Sequence, residues 1–434
     1  MNIQVDFSKT IGKIKPMHGV GQPPFVGVDF SMFRYLKEAG IPFSRLHDVQ
    51  GAYGGYRWVD IPNLFRNFEA DPTDPASYDF TFTDLLITAL MEHEVEPFFR
   101  LGVTIENQAK IKSYRLDPPA DYEKWAVICE YVIRHYTEGW ADGFHYPIRY
   151  WEIWNEPDNF EDPEENQMWS GTPEQYYRLY EVASKHLKQC FPHLKIGGYA
   201  SCGFYALKKS YIAGAASTPR YDYFITFLDG FLDHVKKSGS PLDFFSWHSY
   251  DGIENNRIYA QYARKRLDEA GYTHTETTCN EWNSDIHARG TYKHAAITGA
   301  MLLMFQDAPL DSAMFYDARF GTSVYGSLFH PMTALPLPSY YAFTAFNALY
   351  QLENQVPVSH DTEGVYAVAA KKAQTGCLVI ANPTAEELPL TVQMDAKVVR
   401  CLLTANGENE AEVPLPSVLP KESILTVFTN QEEK

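Results

Sequence analysis

Strand-like and helix-like stretches alternate along most of the 434-residue chain, and this alternation restricts the fold more than any other feature. Candidate strands lie at Pro16–Gly21, Phe43–His47, Glu96–Leu101, Tyr150–Trp154, Leu194–Tyr199, Phe244–His248, Thr277–Glu281 and Ala313–Tyr316. Amphipathic stretches lie between them at Phe30–Ala39, Phe82–His93, Tyr122–Tyr136, Pro173–Lys188, Tyr223–Lys236, Arg257–Ala270 and Lys293–Phe305, and Ser339–Leu352 follows the eighth strand. Thr172-Pro173 reads as a helix start, with a capping hydroxyl and proline at the first helical position. Thr81 or Thr83 is a candidate cap for the helix over 82–93. Eight strand–helix units favour the α/β class, specifically a (β/α)8 TIM barrel, over an open sheet. From about Val356 the pattern changes. Val365–Ala370, Cys377–Ala381, Leu388–Val392, Val398–Leu403 and Ile424–Phe428 are short alternating runs between polar or Gly/Pro turns, the mark of an accessory C-terminal β-sandwich. The expected division is a barrel over 13–355 and a sandwich over 356–434, joined by an N-terminal strand within 1–12.

A hydrophobic content of 45% supports a globular protein with a substantial core. The formal charge of −18, with no long basic run, argues against nucleic acid as a partner. No segment approaches the roughly 18 apolar residues of a membrane span, so no membrane association is expected. The six cysteines, at 129, 190, 202, 279, 377 and 401, form no C-x-x-C pair and have no zinc-ligand spacing. Free, mostly buried thiols and an N-terminus that reads as an immediate strand rather than a signal peptide suggest a cytoplasmic setting.

The stretch Tyr150-Trp151-Glu152-Ile153-Trp154-Asn155-Glu156-Pro157-Asp158 carries the strongest chemical signal. Bulky side chains run up to Asn155-Glu156, and Pro157 then ends the ladder because it has no N–H. Apolar walls raise a carboxyl pKa toward the roughly 6–7 that suits a general acid near neutral pH. Tryptophan faces pack on sugar rings, so glycoside chemistry follows if a second carboxylate is present. In a barrel, functional residues stand at the C-terminal ends of strands. Those ends hold Arg45-Leu46-His47-Asp48, Arg100, Asn155-Glu156, Trp247-His248-Ser249-Tyr250, Cys279-Asn280-Glu281-Trp282-Asn283 and Tyr316-Asp317. Glu281, across the barrel mouth from Glu156, is the second carboxylate. Glu276 lies too early in its strand to compete. Two carboxyls about 5–5.5 Å apart give retention, and a gap of roughly 6.5–9.5 Å gives inversion.

Arg45 needs a carboxylate partner inside a barrel and is assigned to holding Glu281 ionised, with purely structural pairing as the alternative. His47 shares its side of the strand and is a candidate for bonding sugar hydroxyls or for a satisfied structural role. His248 and Tyr250 are candidates for touching the substrate and Glu281, and Asn155 for bonding the sugar 2-hydroxyl. Trp282, Tyr316 and Asp317 complete the expected sugar-selecting set. Trp151 and Trp154 are assigned to the layer behind Glu156. Gly19-Val20-Gly21 lacks a third glycine for a dinucleotide fingerprint, Gly321–Gly326 is one residue too long for a nucleophile elbow, and His93-Glu94 lacks a second histidine. The glycine-rich Gly51–Tyr56 run reads as a loop.

Taken together, Asn155-Glu156-Pro157 and Glu281 resemble the glycosidase clan with glutamates on barrel strands four and seven. Arg45-Leu46-His47-Asp48, Asp74–Phe80, Trp151–Asp158, Met168–Tyr177 and Trp247-His248-Ser249-Tyr250 narrow the resemblance to glycoside hydrolase family 39, which includes β-xylosidases and α-L-iduronidases. These segments span about residues 45 to 281. The resemblance implies Glu156 as acid/base, Glu281 as nucleophile, a retaining double displacement, no metal, no organic cofactor, and a β-sandwich beside the barrel. The chain departs from the pattern at Asn280, where threonine is expected, and at Tyr316-Asp317, where tryptophan would suit a xylosidase. The expected substrate is a carbohydrate and the first expectation is β-xylosidase. Arabinose, galactose or uronic-sugar specificity, transglycosylation, and a non-catalytic carbohydrate-binding protein are the alternatives.

Overall fold

Eight parallel strands close into a barrel in the computed structural model, which describes residues 1–49, 58–104, 116–320 and 325–431. In chain order the barrel strands are Gly19–Gly21, Phe43–Leu46, Glu96–Leu101, Tyr150–Ile153, Lys195–Ser201, Phe244–Ser249, Glu276–Trp282 and Ser312–Phe315. Each pairs with the next, and the eighth pairs with the first. The Gly51–Tyr56 run and Gly321–Val324 lie outside the described residues.

The principal helices between and after these strands are Phe33–Glu38, Thr81–Glu92, Tyr122–Thr137, Pro173–Cys190, Pro219–Ser238, Ile253–Ala270, Tyr292–Asp307 and Tyr340–Tyr350. Thr172 caps its helix as part of a reciprocal capping box with Gln175. The expected cap at Thr81 or Thr83 is not formed. Phe80 occupies the cap position without a side-chain bond, and the Thr83 hydroxyl instead donates to the carbonyl of Trp58.

Alternation along the strands makes the barrel interior two-layered. Phe43, Phe98, Tyr150, Phe244 and Met314 form an apolar plug near the N-terminal ends. Two residues further along their strands stand Arg45, Arg100, Glu152, Ser246 and Tyr316, on the same inward side. The interior therefore changes from hydrocarbon to hydrogen-bonding groups as the chain approaches the mouth. Glu276 lies at the plug end, paired with Lys195 and accepting 2.9 Å from Tyr150 Oη. Strand seven carries one extra residue: Trp247 pairs with Cys279 and His248 with Glu281, so Asn280 is a bulge.

The C-terminal region forms a seven-stranded sheet in the order Glu408–Val413, Lys397–Ala405, Ser423–Asn430, Thr375–Asn382, Tyr366–Lys372, Asn354–Val356, Gly12–Lys13. A three-stranded sheet faces it, in which Asn2–Val5 pairs antiparallel with Val358–His360 and parallel with Thr391–Met394. Ile3, Val5, Leu378, Ile380, Leu425 and Val427 share the core between these sheets. The outer face of the large sheet meets the helix Tyr292–Asp307. Gly299 permits close approach there, since a Cβ at this position would stand 3.0 Å from Ile424 Cδ1. All six cysteines are free, five of them buried and Cys190 half-buried. Among the described residues, no helix is long and apolar enough to cross a membrane.

Candidate active site

At the end of strand four the backbone turns sharply. Trp154 and Glu156 both adopt left-handed φ, 72° and 45°, a conformation costly for non-glycine residues. The Glu156 N–H donates to Ala200 O at 3.0 Å, which fixes the turn against strand five. Trp151 stacks on Phe99, and Trp154 packs on Trp125 and Trp169 with Nε1 donating to Met168 O. Both indoles thus support the turn from behind.

Arg45 is the hub of the polar layer. Its Nε donates to Glu152 Oε2 at 2.8 Å, Nη1 to Glu281 Oε2 at 3.0 Å, and Nη2 to Asn155 Oδ1 at 2.6 Å. Glu152 is fully buried, and its other oxygen accepts from Ser246 Oγ at 2.5 Å and Asn280 Nδ2 at 2.6 Å. Arginine only donates, so the Asn155 carbonyl must face Arg45 and its NH2 turns the other way. Glu281 is 7% exposed and also accepts from the Tyr250 hydroxyl.

His248 bridges the two site carboxylates. Its Nδ1 lies 2.8 Å from Glu156 Oε1 and its Nε2 lies 3.7 Å from Glu281 Oε2. One carboxylate oxygen from each glutamate and a ring nitrogen of His248 all lie within 4.8 Å of one another. That spacing falls on the retaining side of the separation rule. Burial opposes an imidazolium at His248, but Glu281 and Glu156 outweigh it and lift the pKa above the ordinary value. Burial raises Glu281, with Glu156 adding to it against His248 and Arg45. At Glu156 burial also acts upward, yet the hydrogen bond and charge of His248, helped by Asn159, hold the carboxyl below its usual value. The expectation that apolar walls would lift Glu156 is therefore corrected: its neighbours at the carboxyl are hydrogen-bond donors, and the tryptophans stand behind the turn. The titrations of the three groups are therefore coupled.

The remaining expected residues divide. His47 is engaged at both ring nitrogens: Nδ1 accepts from Arg100 Nε at 3.1 Å and Nε2 lies 3.0 Å from Asp48 Oδ1. Burial drives its pKa down to about 4, so the neutral ring is held between those partners. Trp282 is corrected. As the residue after inward-facing Glu281 it points to the helix layer, where its fully buried ring packs on Phe305 and Phe315. Tyr316 Oη donates to Asp48 Oδ2 at 2.6 Å, and its ring lies 6.3 Å from that of Tyr250. Asp317 is fully buried and pairs with Arg319 Nε at 2.9 Å.

Sequence reasoning passed over Glu152, Asp158 and Asn159. Glu152 was legible by alternation, two residues after Tyr150 on the inward face. Asn159 donates from Nδ2 to Glu156 Oε2 at 2.9 Å. Asp158 accepts from Ser201 Oγ at 2.8 Å and Cys202 N at 3.1 Å, and burial pushes its carboxyl up to about 7. Among the described residues, two clusters have metal-ligand donor types, Glu156–His248–Glu281 and Glu130–His186–Cys190. In the first, a cation would share its place with Arg45. In the second, Glu130 already accepts from Arg134 Nε at 2.7 Å.

A parallel barrel with a buried glutamate, Glu281, and a half-buried one, Glu156, coupled at its C-terminal mouth defines a glycosidase-like site. The profile of Glycosyl hydrolases family 39 matches residues 54–272, half of the chain, and the chain belongs to this family. A β-xylosidase of Geobacillus stearothermophilus is 24% identical over 341 residues, covering 68% of this chain and 62% of that protein. A β-xylosidase of Caldicellulosiruptor saccharolyticus is 25% identical over 446 residues, covering 92% and 82%. The chain thus spans less than two thirds of the Geobacillus relative. Among solved structures, a glucosidase from Croceicoccus marinus superposes with a TM-score of 0.78 at 21% identity over 100% of this chain and 99% of that one. A family 39 β-xylosidase from Caulobacter crescentus gives 0.67 at 18% identity over 99% and 100%. These likenesses concern the fold.

Two outcomes follow from the buried charges. Arg45→Met strands Glu152 and is expected to cost about 3–5 kcal/mol. Adding Glu152→Gln should recover much of that stability in urea titrations without restoring turnover. Asp158 is ordinarily ionised above about pH 4 in an unfolded chain, but in the folded protein only above about 7. Its stabilising effect is full below the lower value and is lost as pH rises through the upper one. Asp158→Asn removes that loss, so its melting temperature relative to wild type should rise by a few degrees between pH 5 and 8.

Proposed function

We propose that this family member is a retaining glycoside hydrolase acting as a β-xylosidase, with Glu156 as acid/base and Glu281 as nucleophile. The observation that carries the reading is the spacing of the two carboxylates, within 4.8 Å at their nearest oxygens and joined through His248. A separation this short suits attack by a carboxylate rather than by water. Arg45 and Tyr250 supply hydrogen bonds that favour the ionised form of Glu281. Glu156 Oε1 lies 2.8 Å from His248 Nδ1.

In the first half-reaction the Glu156 proton passes to the glycosidic oxygen as its bond to the anomeric carbon breaks. Glu281 attacks that carbon from the other face and forms a glycosyl ester. In the second, Glu156 takes a proton from water as the water oxygen displaces Glu281. The choice of xylose is supported by the named activities of the two curated relatives.

A panel of p-nitrophenyl xyloside, glucoside, arabinoside, galactoside and uronide tests the sugar, with the β-xyloside expected to give the highest kcat/KM. A higher value for any other member would overturn that choice. Proton NMR of the first product should show the β-anomer; an initial α-anomer would rule out double displacement. Glu281→Ala should abolish turnover, with partial return in azide. Glu156→Ala should lose roughly 10²–10⁴-fold on poor leaving groups and far less on good ones. Equal losses on both would remove the acid role.

A further inference from the structure

Glu156 carries a second constraint on the side away from His248, and it comes from a residue with no assigned role. Asn159 is 4% exposed and follows Glu156 by three positions, its N–H donating to Glu156 O at 3.1 Å. This turn brings Asn159 Nδ2 to 2.9 Å from Glu156 Oε2. An amide could present either end to a carboxyl, but here one end is already taken. Arg220, from the helix Pro219–Ser238, donates through Nη2 to Asn159 Oδ1 at 3.3 Å and through Nε to Asn159 O at 2.8 Å. The guanidinium is itself held, 4.4 Å over the Phe160 ring and 5.4 Å over that of Phe224. Arginine has no acceptor, so the carbonyl end of Asn159 must face it and the NH2 end must face Glu156.

We infer that Asn159 is a positioning residue for Glu156, locked by Arg220 so that Oε2 stays an acceptor and Oε1 is the oxygen that carries the catalytic proton. This rests on the reading of Glu156 as acid/base. An oxygen receiving an N–H at 2.9 Å cannot also hold a proton along that line. The proton therefore resides on Oε1, beside His248 Nδ1, and leaves from there to the glycosidic oxygen as the C–O bond breaks with its electron pair. In the return half-reaction Oε1 takes the proton of the attacking water, and the electrons of the ester bond return to Glu281. Asn159 also favours the carboxylate form of Glu156, the form the second half-reaction requires.

The other titratable and charged groups around Glu156 are His248 and Tyr250 from strand six, Glu281 from strand seven, His47 from strand two, Asp158 on its own loop, and Cys202, Tyr205, Arg220 and Tyr325. An Asn159→Leu substitution leaves all of them in place. It is near in size and removes the donor to Glu156, together with the Oδ1 acceptor of Arg220 Nη2 and the Nδ2 contact with Cys202 Sγ.

The test measures kcat/KM against pH and against leaving-group acidity, using a series of aryl glycosides of the sugar found in the panel, for wild type, Asn159→Leu, Arg220→Met and Glu156→Ala. Asn159→Leu should lose about tenfold on the poorest leaving groups and little on dinitrophenyl glycosides. Its basic limb should move to higher pH, because a group that stabilised the carboxylate is gone. Arg220→Met keeps the packing on Phe160 and Phe224 but frees the amide, so a smaller change in the same direction is expected. It decides the matter if Asn159→Leu does not fold. Wild-type leaving-group dependence and an unmoved basic limb in folded variants would overturn the inference. If Glu156→Ala shows the steep dependence while these variants do not, only the role of Asn159 fails. If Glu156→Ala loses equally across the series, the acid reading fails and takes this inference with it.

Discussion

One guanidinium holds the mouth of this barrel together. Arg45 is buried with two carboxylates, Glu152 and Glu281, and an amide, Asn155, each within 3.0 Å. Three strands that are not neighbours, two, four and seven, are thereby tied at one depth. Bringing two negative charges into a barrel is unfavourable without a cation and a full set of donors. Arg45, Ser246 and Asn280 satisfy Glu152 completely, which leaves Glu281 as the member of the network that reaches the cleft. The polar layer rests in turn on the aromatic plug beneath it, which closes the barrel and keeps the network out of bulk water.

From that anchor the arrangement runs outward through hydrogen bonds and one longer charge contact. Glu281 accepts from Tyr250 and lies 3.7 Å from His248 Nε2, and His248 Nδ1 meets Glu156. Glu156 is held in turn by Asn159 and Arg220. A histidine between two carboxylates couples their titrations, so neither has a pKa of its own. The Asp48 cluster stands beside this chain. His47, Tyr316 and Arg319 hold the Asp48 carboxyl well below its usual value against the effect of burial. A permanent negative charge therefore lies behind the end of strand eight.

Much of this was legible in the sequence. Each barrel strand falls within three residues of its expected bounds, because a buried parallel strand must be a short apolar run ended by turn residues. Glu156, Glu281 and Arg45 were legible because polar groups at strand ends have few other places to go. Local pattern could not carry the remainder. The bulge at Asn280 places two consecutive polar residues inward, which no period-two reading anticipates. The partners of His47, Arg100 and Asp48, are set by the folded barrel. Trp282 was misread, although alternation from Glu281 alone places it outward. Asn159 gave no signal, since its role depends on Arg220, 61 residues away.

The central claim is that Glu281 forms a covalent bond to the sugar while Glu156 does not. A 2-deoxy-2-fluoro glycoside with a dinitrophenyl leaving group slows both steps but the second more, and so lets the ester accumulate. Peptide mass spectrometry after brief incubation then locates the sugar. The account predicts a single fluoroglycosyl adduct on the peptide containing Glu281, absent when Glu281 is replaced. An adduct on Glu156, or inactivation with no adduct on either glutamate, would contradict it.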